Sequence, residues 1–115
     1  MKITNRESYG VIIIDLNGRL ETTTSGDTSD EIVRIIKAPN HKIIINLEGV
    51  EYISSAGLRV ILTASKLLQS SRGELKLCSP NDQVKEVLET SGFNSLLNIY
   101  NNEKDAMSAF LKEST

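Results

Sequence analysis

Two short apolar runs punctuate this sequence, Val11-Ile12-Ile13-Ile14 and Ile43-Ile44-Ile45, followed by a third strand-like segment, Leu75-Lys76-Leu77-Cys78. Between them lie stretches in which apolar residues return at helical spacing. Continuous β-branched runs of this length suit strands covered on both faces. Strands alternating with helices join in parallel through right-handed crossovers, which points to an α/β sheet. At 115 residues the chain reads as a single domain over 1–115, large enough to bury a core without staples.

The remaining elements follow from punctuation. Lys2 to Glu7 reads as a short polar edge strand, turned back at Ser8-Tyr9-Gly10. Val11 to Leu16 forms the second strand. Asn17-Gly18 suits either a hairpin turn or a bulge or kink before a helix. The spacing predicts a first helix opening at Thr28, with Glu31 at capping-box distance. It would bury Ile32, Ile35 and Ile36, with Val33 at the margin, and end at Pro39. Lys42 to Leu47 is the next strand. A second helix is expected from Ala56 to Arg72, with Gly73 as its C-terminal cap; Gly57, Val60, Ile61, Ala64 and Leu68 share one face. After a strand from Glu74 to Cys78, Ser79-Pro80-Asn81-Asp82 opens a third helix, with Ser79 capping and Pro80 in the first position. Val84, Val87 and Leu88 face its core, and Gly92 ends it. A strand from Leu96 to Tyr100 and a helix starting at Asn101 or Asn102, with Ala106, Met107 and Phe110 inward, complete β-β-α-β-α-β-α-β-α. The expected fold is a mixed sheet of about five strands with helices mainly on one face.

Composition removes several functions. A net charge of −2, with no Lys/Arg cluster, argues against nucleic-acid binding. Cys78 is the one cysteine, which excludes an internal disulfide, and its apolar neighbours suggest a buried strand residue. No apolar run approaches the ~20 residues of a membrane span. Met1 to Glu7 breaks into charges at once, unlike a signal peptide. The expectation is a cytoplasmic protein with no direct membrane insertion. Serine catalysis needs a base beside the hydroxyl. The one histidine, His41, precedes a strand and is expected at the far end from the serines discussed below. There is no G-x-S-x-G elbow, no phosphate-cradling glycine loop and no paired metal-ligand motif. No catalytic residue, metal or cofactor is therefore expected, and the chain does not read as an enzyme.

The segment Glu51-Tyr52-Ile53-Ser54-Ser55-Ala56-Gly57-Leu58-Arg59 is expected to place two serines where a loop becomes a helix N-terminus. Unpaired N–H groups and a partial positive charge favour anions there. A phosphate on either serine would be stabilised locally and would add about −1.5 to −2 charges to the surface. Read from the local residues alone, the favoured role of either serine is to cap the helix.

With Ile53-Ser54-Ser55-Ala56-Gly57-Leu58-Arg59 after a strand, the arrangement resembles the STAS domain family, and within it the stand-alone bacterial anti-sigma factor antagonists. The resemblance runs from about Lys2 to Leu111. Leu16-Asn17-Gly18-Arg19-Leu20-Glu21 looks like the family's L-x-G-x-L-[DE] segment. Ile43 to Val50 resembles its strand ending in D-L-x-x-V, with Asn46 where Asp is common. Phe93 after Ser91-Gly92 resembles its G-[FL] segment.

The resemblance implies a mechanism. Aligned on Gly57-Leu58, the family's D-S-[ST]-G-L motif puts Ser55 at the phosphoacceptor position and Ser54, the lesser candidate, where Asp often stands. The implied partner is an anti-sigma factor with serine kinase activity, bound by the unmodified protein and released when ATP and Mg²⁺ are used to phosphorylate it. A serine phosphatase would reverse the change. The implied binding surface comprises Glu21, Thr22, Thr23, Ser54, Ser55, Ala56, Gly57 and Arg59, with Thr24 adjoining. A non-switching STAS subunit of a sensory complex or transporter is the alternative.

Overall fold

The computed structural model describes residues 1–37, 42–92 and 97–113. Its strands are β1 (Lys2–Ser8), β2 (Val11–Leu20), β3 (Lys42–Ile53), β4 (Glu74–Cys78) and β5 (Asn98–Tyr100). Its helices are α1 (Thr22–Ile36), α2 (Ser55–Ser70), α3 (Asp82–Thr90) and α4 (Glu103–Glu113). The strands lie in chain order, β1-β2-β3-β4-β5, in one sheet. β1 pairs antiparallel with β2, and the other neighbours are parallel. The β1–β2 turn is tight because Tyr9 (φ 51°) and Gly10 (φ 78°) both adopt positive φ, the geometry that matches strand twist in a two-residue hairpin.

Alternate strand residues supply two cores. On one face Ile14, Leu16, Ile43, Ile45, Leu75 and Leu77 meet Ile32 of α1, Ile61, Ala64 and Leu68 of α2, and Val84 and Leu88 of α3. On the other, Val11, Ile13, Ile44 and Cys78 meet Ala106 and Phe110 of α4. Three helices thus cover one face and one helix the other. Cys78 is fully buried, and desolvation pushes its thiol pKa up to about 11; it stays protonated at neutral pH.

Several boundaries differ from the sequence expectation. α1 starts at Thr22, with Glu21 as N-cap, rather than at Thr28. Thr28 is buried within the helix and its Oγ1 donates back to the Thr24 carbonyl at 2.8 Å. The run Glu21 to Ser25 reads as a loop because it is polar, yet Thr24 Oγ1 accepts from the Glu21 amide at 3.0 Å and donates to the Arg19 carbonyl at 2.7 Å. Those bonds satisfy the exposed end of the helix. β2 does not stop at Leu16, nor β3 at Leu47. Both continue, with register shifts between Asp15 and Asn17 and between Gly18 and Arg19. The bulge expected at Asn17-Gly18 is present, but the extra residues lie on β3, which advances further than β2 at each shift.

α2 ends at Ser70, and Arg72 (φ 64°), not Gly73, takes the left-handed position. The amides of Arg72 and Gly73 donate to Gln69 and Leu68 carbonyls, a Schellman closure. α3 is capped by Asn81 rather than Ser79. Its Oδ1 accepts from the Val84 amide at 2.7 Å while its Nδ2 donates to the Val50 carbonyl at 3.1 Å. Ser79 remains tied to the sheet through its amide and the Tyr100 carbonyl. Asn102 caps α4 as expected, accepting from the Asp105 amide at 2.8 Å. Pro39, His41, Phe93 and Leu96, to which the sequence reading gave roles, lie outside the described residues.

Candidate functional site

β2 and β3 are parallel neighbours, so they end side by side, with Leu20 opposite Ile53. Each feeds a helix almost at once, which brings the starts of α1 and α2 to the same edge of the sheet. The Ser54 amide donates to the Leu20 carbonyl at 2.9 Å, tying the two junctions together. Contrary to expectation no loop carries the serines. β3 pairs with β2 through Ile53, Ser54 is the single linking residue, and Ser55 is the first residue of α2.

The two hydroxyls are in different circumstances. Ser54 is extended (φ −101°, ψ 177°) and half-buried, and its Oγ accepts from the Gly57 amide at 3.3 Å. It is a helix N-cap. Ser55 is exposed, and its hydroxyl has no hydrogen-bond partner among the described residues. Its backbone N–H belongs to the group that an α-helix leaves unpaired at its start.

Gly57 is buried. A Cβ there would lie 2.6 Å from the Leu20 carbonyl oxygen and 2.8 Å from Leu20 Cγ. Glycine thus lets α2 press against the end of β2, and Gly57 supports the surface from beneath. Ala56 is half-buried; Thr22, Thr23 and Arg59 are exposed, and Glu21 is partly so. The structure brings all eight residues singled out from the sequence, Gly57 included, to the paired starts of α1 and α2.

The charges here are partly compensated. Arg19 donates to Glu21 Oε2 at 3.1 Å and its guanidinium stands over the Tyr52 ring, 4.6 Å from the centroid. Thr23 Oγ1 donates weakly to Glu21 Oε1 at 3.4 Å. Behind Ser55 a shallow groove of about 270 Å³ runs between the helices, lined by Ser25, Gly26, Ser29, Ala56, Arg59 and Thr63, with Val60 at its base. Sequence reading missed the α1 side of this groove because it started the helix too late; the available signal was Thr24, three residues after an N-cap at Glu21. The Arg19–Tyr52 contact was hidden by the bulged register.

A second polar cluster lies on the opposite face of the sheet. Arg6 binds Asp15 at 2.9 and 3.1 Å and also pairs with Glu103 of α4. The Asp15 carboxyl is held below the usual Asp range, first by its hydrogen bonds from Arg6, and is helped by the Asn46 amide at 2.8 Å. The Arg6 guanidinium is correspondingly raised, first by Glu103 and then by Asp15. Lys76 is fully buried, 2.5 Å from Glu74 Oε2 and 4.6 Å from the centroid of the Phe110 ring. Among the described residues no group of three or more His, Cys, Asp and Glu could hold a metal ion.

Comparison with known proteins places these features in context. The family model described as "STAS domain" matches residues 2–106. BtrV of Bordetella bronchiseptica, provisionally named an anti-sigma factor antagonist, is 34% identical over 110 residues, covering 96% of this chain and 95% of its own. The anti-sigma F factor antagonist of Paenibacillus polymyxa is 31% identical over 108 residues, covering 93% and 92%. Among solved structures, a provisionally named anti-sigma factor antagonist from Thermotoga maritima superposes with a TM-score of 0.88 at 27% identity, covering 93% of this chain and 92% of that one.

Proposed function

The chain belongs to the STAS domain family, and on that footing we propose that it is an anti-sigma factor antagonist whose docking is switched by phosphorylation of Ser55. The partner is an anti-sigma factor that is also a serine kinase. The bare protein engages it through Glu21, Thr22, Thr23, Ser54, Ser55, Ala56 and Arg59, with Gly57 holding α2 in place beneath them. Occupied in this way, the anti-sigma factor releases its sigma factor. The Ser55 hydroxyl oxygen then takes the γ-phosphoryl group of ATP, the bond to ADP breaks, and the hydroxyl proton passes to a base of the kinase. A serine phosphatase restores the hydroxyl by hydrolysis. This chemistry belongs to the partners; the antagonist itself binds and is modified, in the cytoplasm.

The observation that carries the reading is the division of labour between adjacent serines: Ser54 Oγ is engaged as a cap, whereas Ser55 Oγ is exposed and without a partner among the described residues. A kinase can therefore modify Ser55 without uncapping the helix. The phosphate is accommodated by the helix start, where an anion gains roughly 0.3–1 kcal/mol. It opposes a partner surface matched to a neutral hydroxyl by repulsion and desolvation. Intact-mass measurement after incubation with the cognate kinase, ATP and Mg²⁺ tests this. Wild type and Ser54→Ala should gain one phosphate and Ser55→Ala none. Phosphate on Ser55→Ala, or none on wild type, would refute the assignment.

A further inference from the structure

Arg59 stands one helical turn after Ser55, and both are exposed. Residues four apart on a helix are neighbours, and helical side chains lean toward the N-terminus. The reach of Arg59 is therefore back over Ser55. Arg6, Arg19, Arg34 and Lys76 each pair with a carboxylate. Arg59 has no ion pair and no side-chain hydrogen bond among the described residues. The groove it lines presents hydroxyls and small side chains, with no carboxylate in its walls. Glu21, the one acid among the eight site residues, is paired with Arg19 at 3.1 Å. Arg59 thus carries a guanidinium within helical reach of the Ser55 hydroxyl, with no partner among the described residues.

We propose that Arg59 is the intramolecular receptor for a phosphate on Ser55, closing on it as a clamp. The inference rests on the Ser55 switch above and deepens it. A guanidinium offers a planar fork of donors suited to two phosphate oxygens at once. In the bare protein that fork is free for a carboxylate of the docking partner. In the phosphoprotein it is turned onto the chain's own phosphate. Modification then acts twice: it adds negative charge, and it withdraws the cation that the partner's acid would meet. Arg59 is a positioning residue for the phosphate and takes no part in phosphoryl transfer.

The test installs phosphoserine at position 55 during translation, so that no kinase is needed. The phosphate is then titrated by ³¹P NMR in wild type, Arg59→Gln and Arg59→Lys at low salt. Helix-end effects are common to all three, so differences report residue 59. The clamp predicts that Arg59→Gln raises the second phosphate pKa by about half a pH unit, with Arg59→Lys in between. Added salt should shrink the difference. Equal titration of wild type and Arg59→Gln, to within about 0.1 pH unit, or a shift in the opposite sense, overturns the clamp. The kinase assay on Ser55 decides the switch separately, since the two experiments share no reagent.

Discussion

A missing methyl group sets how closely α2 meets β2. In Gly57→Ala the new Cβ would fall 2.6 Å from the Leu20 carbonyl oxygen, a contact with backbone that cannot swing aside. Overpacking of this kind costs about 1–3 kcal/mol, and thermal unfolding should show Tm lower by several degrees. The adjacent serines should separate cleanly in similar measurements. Ser54→Ala removes a cap and should cost about 1 kcal/mol while still accepting phosphate. Ser55→Ala should leave Tm nearly unchanged and accept none. On the other face, Asp15 gives a pH dependence. Its carboxyl is depressed in the folded protein, chiefly by Arg6. A depressed carboxyl contributes stability above its unfolded pKa of about 3.9 and loses it as pH falls through the folded value. Denaturation curves of wild type should therefore weaken below about pH 4, and Arg6→Gln should flatten that acid limb. An acid limb unchanged by Arg6→Gln would contradict the pairing.

At the scale of elements, strand cores and helix faces were legible where burial enforces a period. Ile43-Ile44-Ile45 is buried on both faces, and Ile61, Ala64 and Leu68 of α2 keep helical spacing because one stripe meets the sheet. Helix starts were less legible. Thr28-Ser29-Asp30-Glu31 and Ser79-Pro80-Asn81-Asp82 each carry more than one residue able to cap. In the second the choice is tertiary, since Asn81 also reaches the Val50 carbonyl; the first lies inside α1, whose start at Glu21 is fixed by local bonds between Thr24 Oγ1 and the Glu21 amide and Arg19 carbonyl. The extensions of β2 and β3 escaped for a related reason. Their register shifts break the alternation that a strand pattern relies on. The serine junction was located in sequence, but its lack of a loop depended on those extensions. α4 provides the element-scale prediction. Phe110 is 1% exposed, packs with Ala106 on the second core and faces Lys76. Phe110→Ala should cost about 3–5 kcal/mol in urea denaturation. Because α4 lies across the sheet from α1 and α2, phosphorylation of Ser55 by the kinase should persist in whatever fraction stays folded.

For the whole molecule, the order β1-β2-β3-β4-β5 sends α1, α2 and α3 to one face and leaves α4 on the other. The carboxyl ends of parallel strands are where open α/β sheets commonly place ligands. Here, at the ends of β2 and β3, two helix starts present an exposed hydroxyl beside a shallow groove. That arrangement favours recognition by another protein's surface. It would also let the proposed phosphorylation act without rearranging the fold, since Ser55 is exposed and the cap beneath it is made by Ser54. The most direct measurement is the affinity of the cognate anti-sigma factor for the bare protein and for the protein carrying phosphoserine at 55, by calorimetry at one salt concentration. The account predicts binding weaker by at least about 100-fold, near 2.7 kcal/mol, in the phosphorylated form. Equal affinities for the two forms would contradict it.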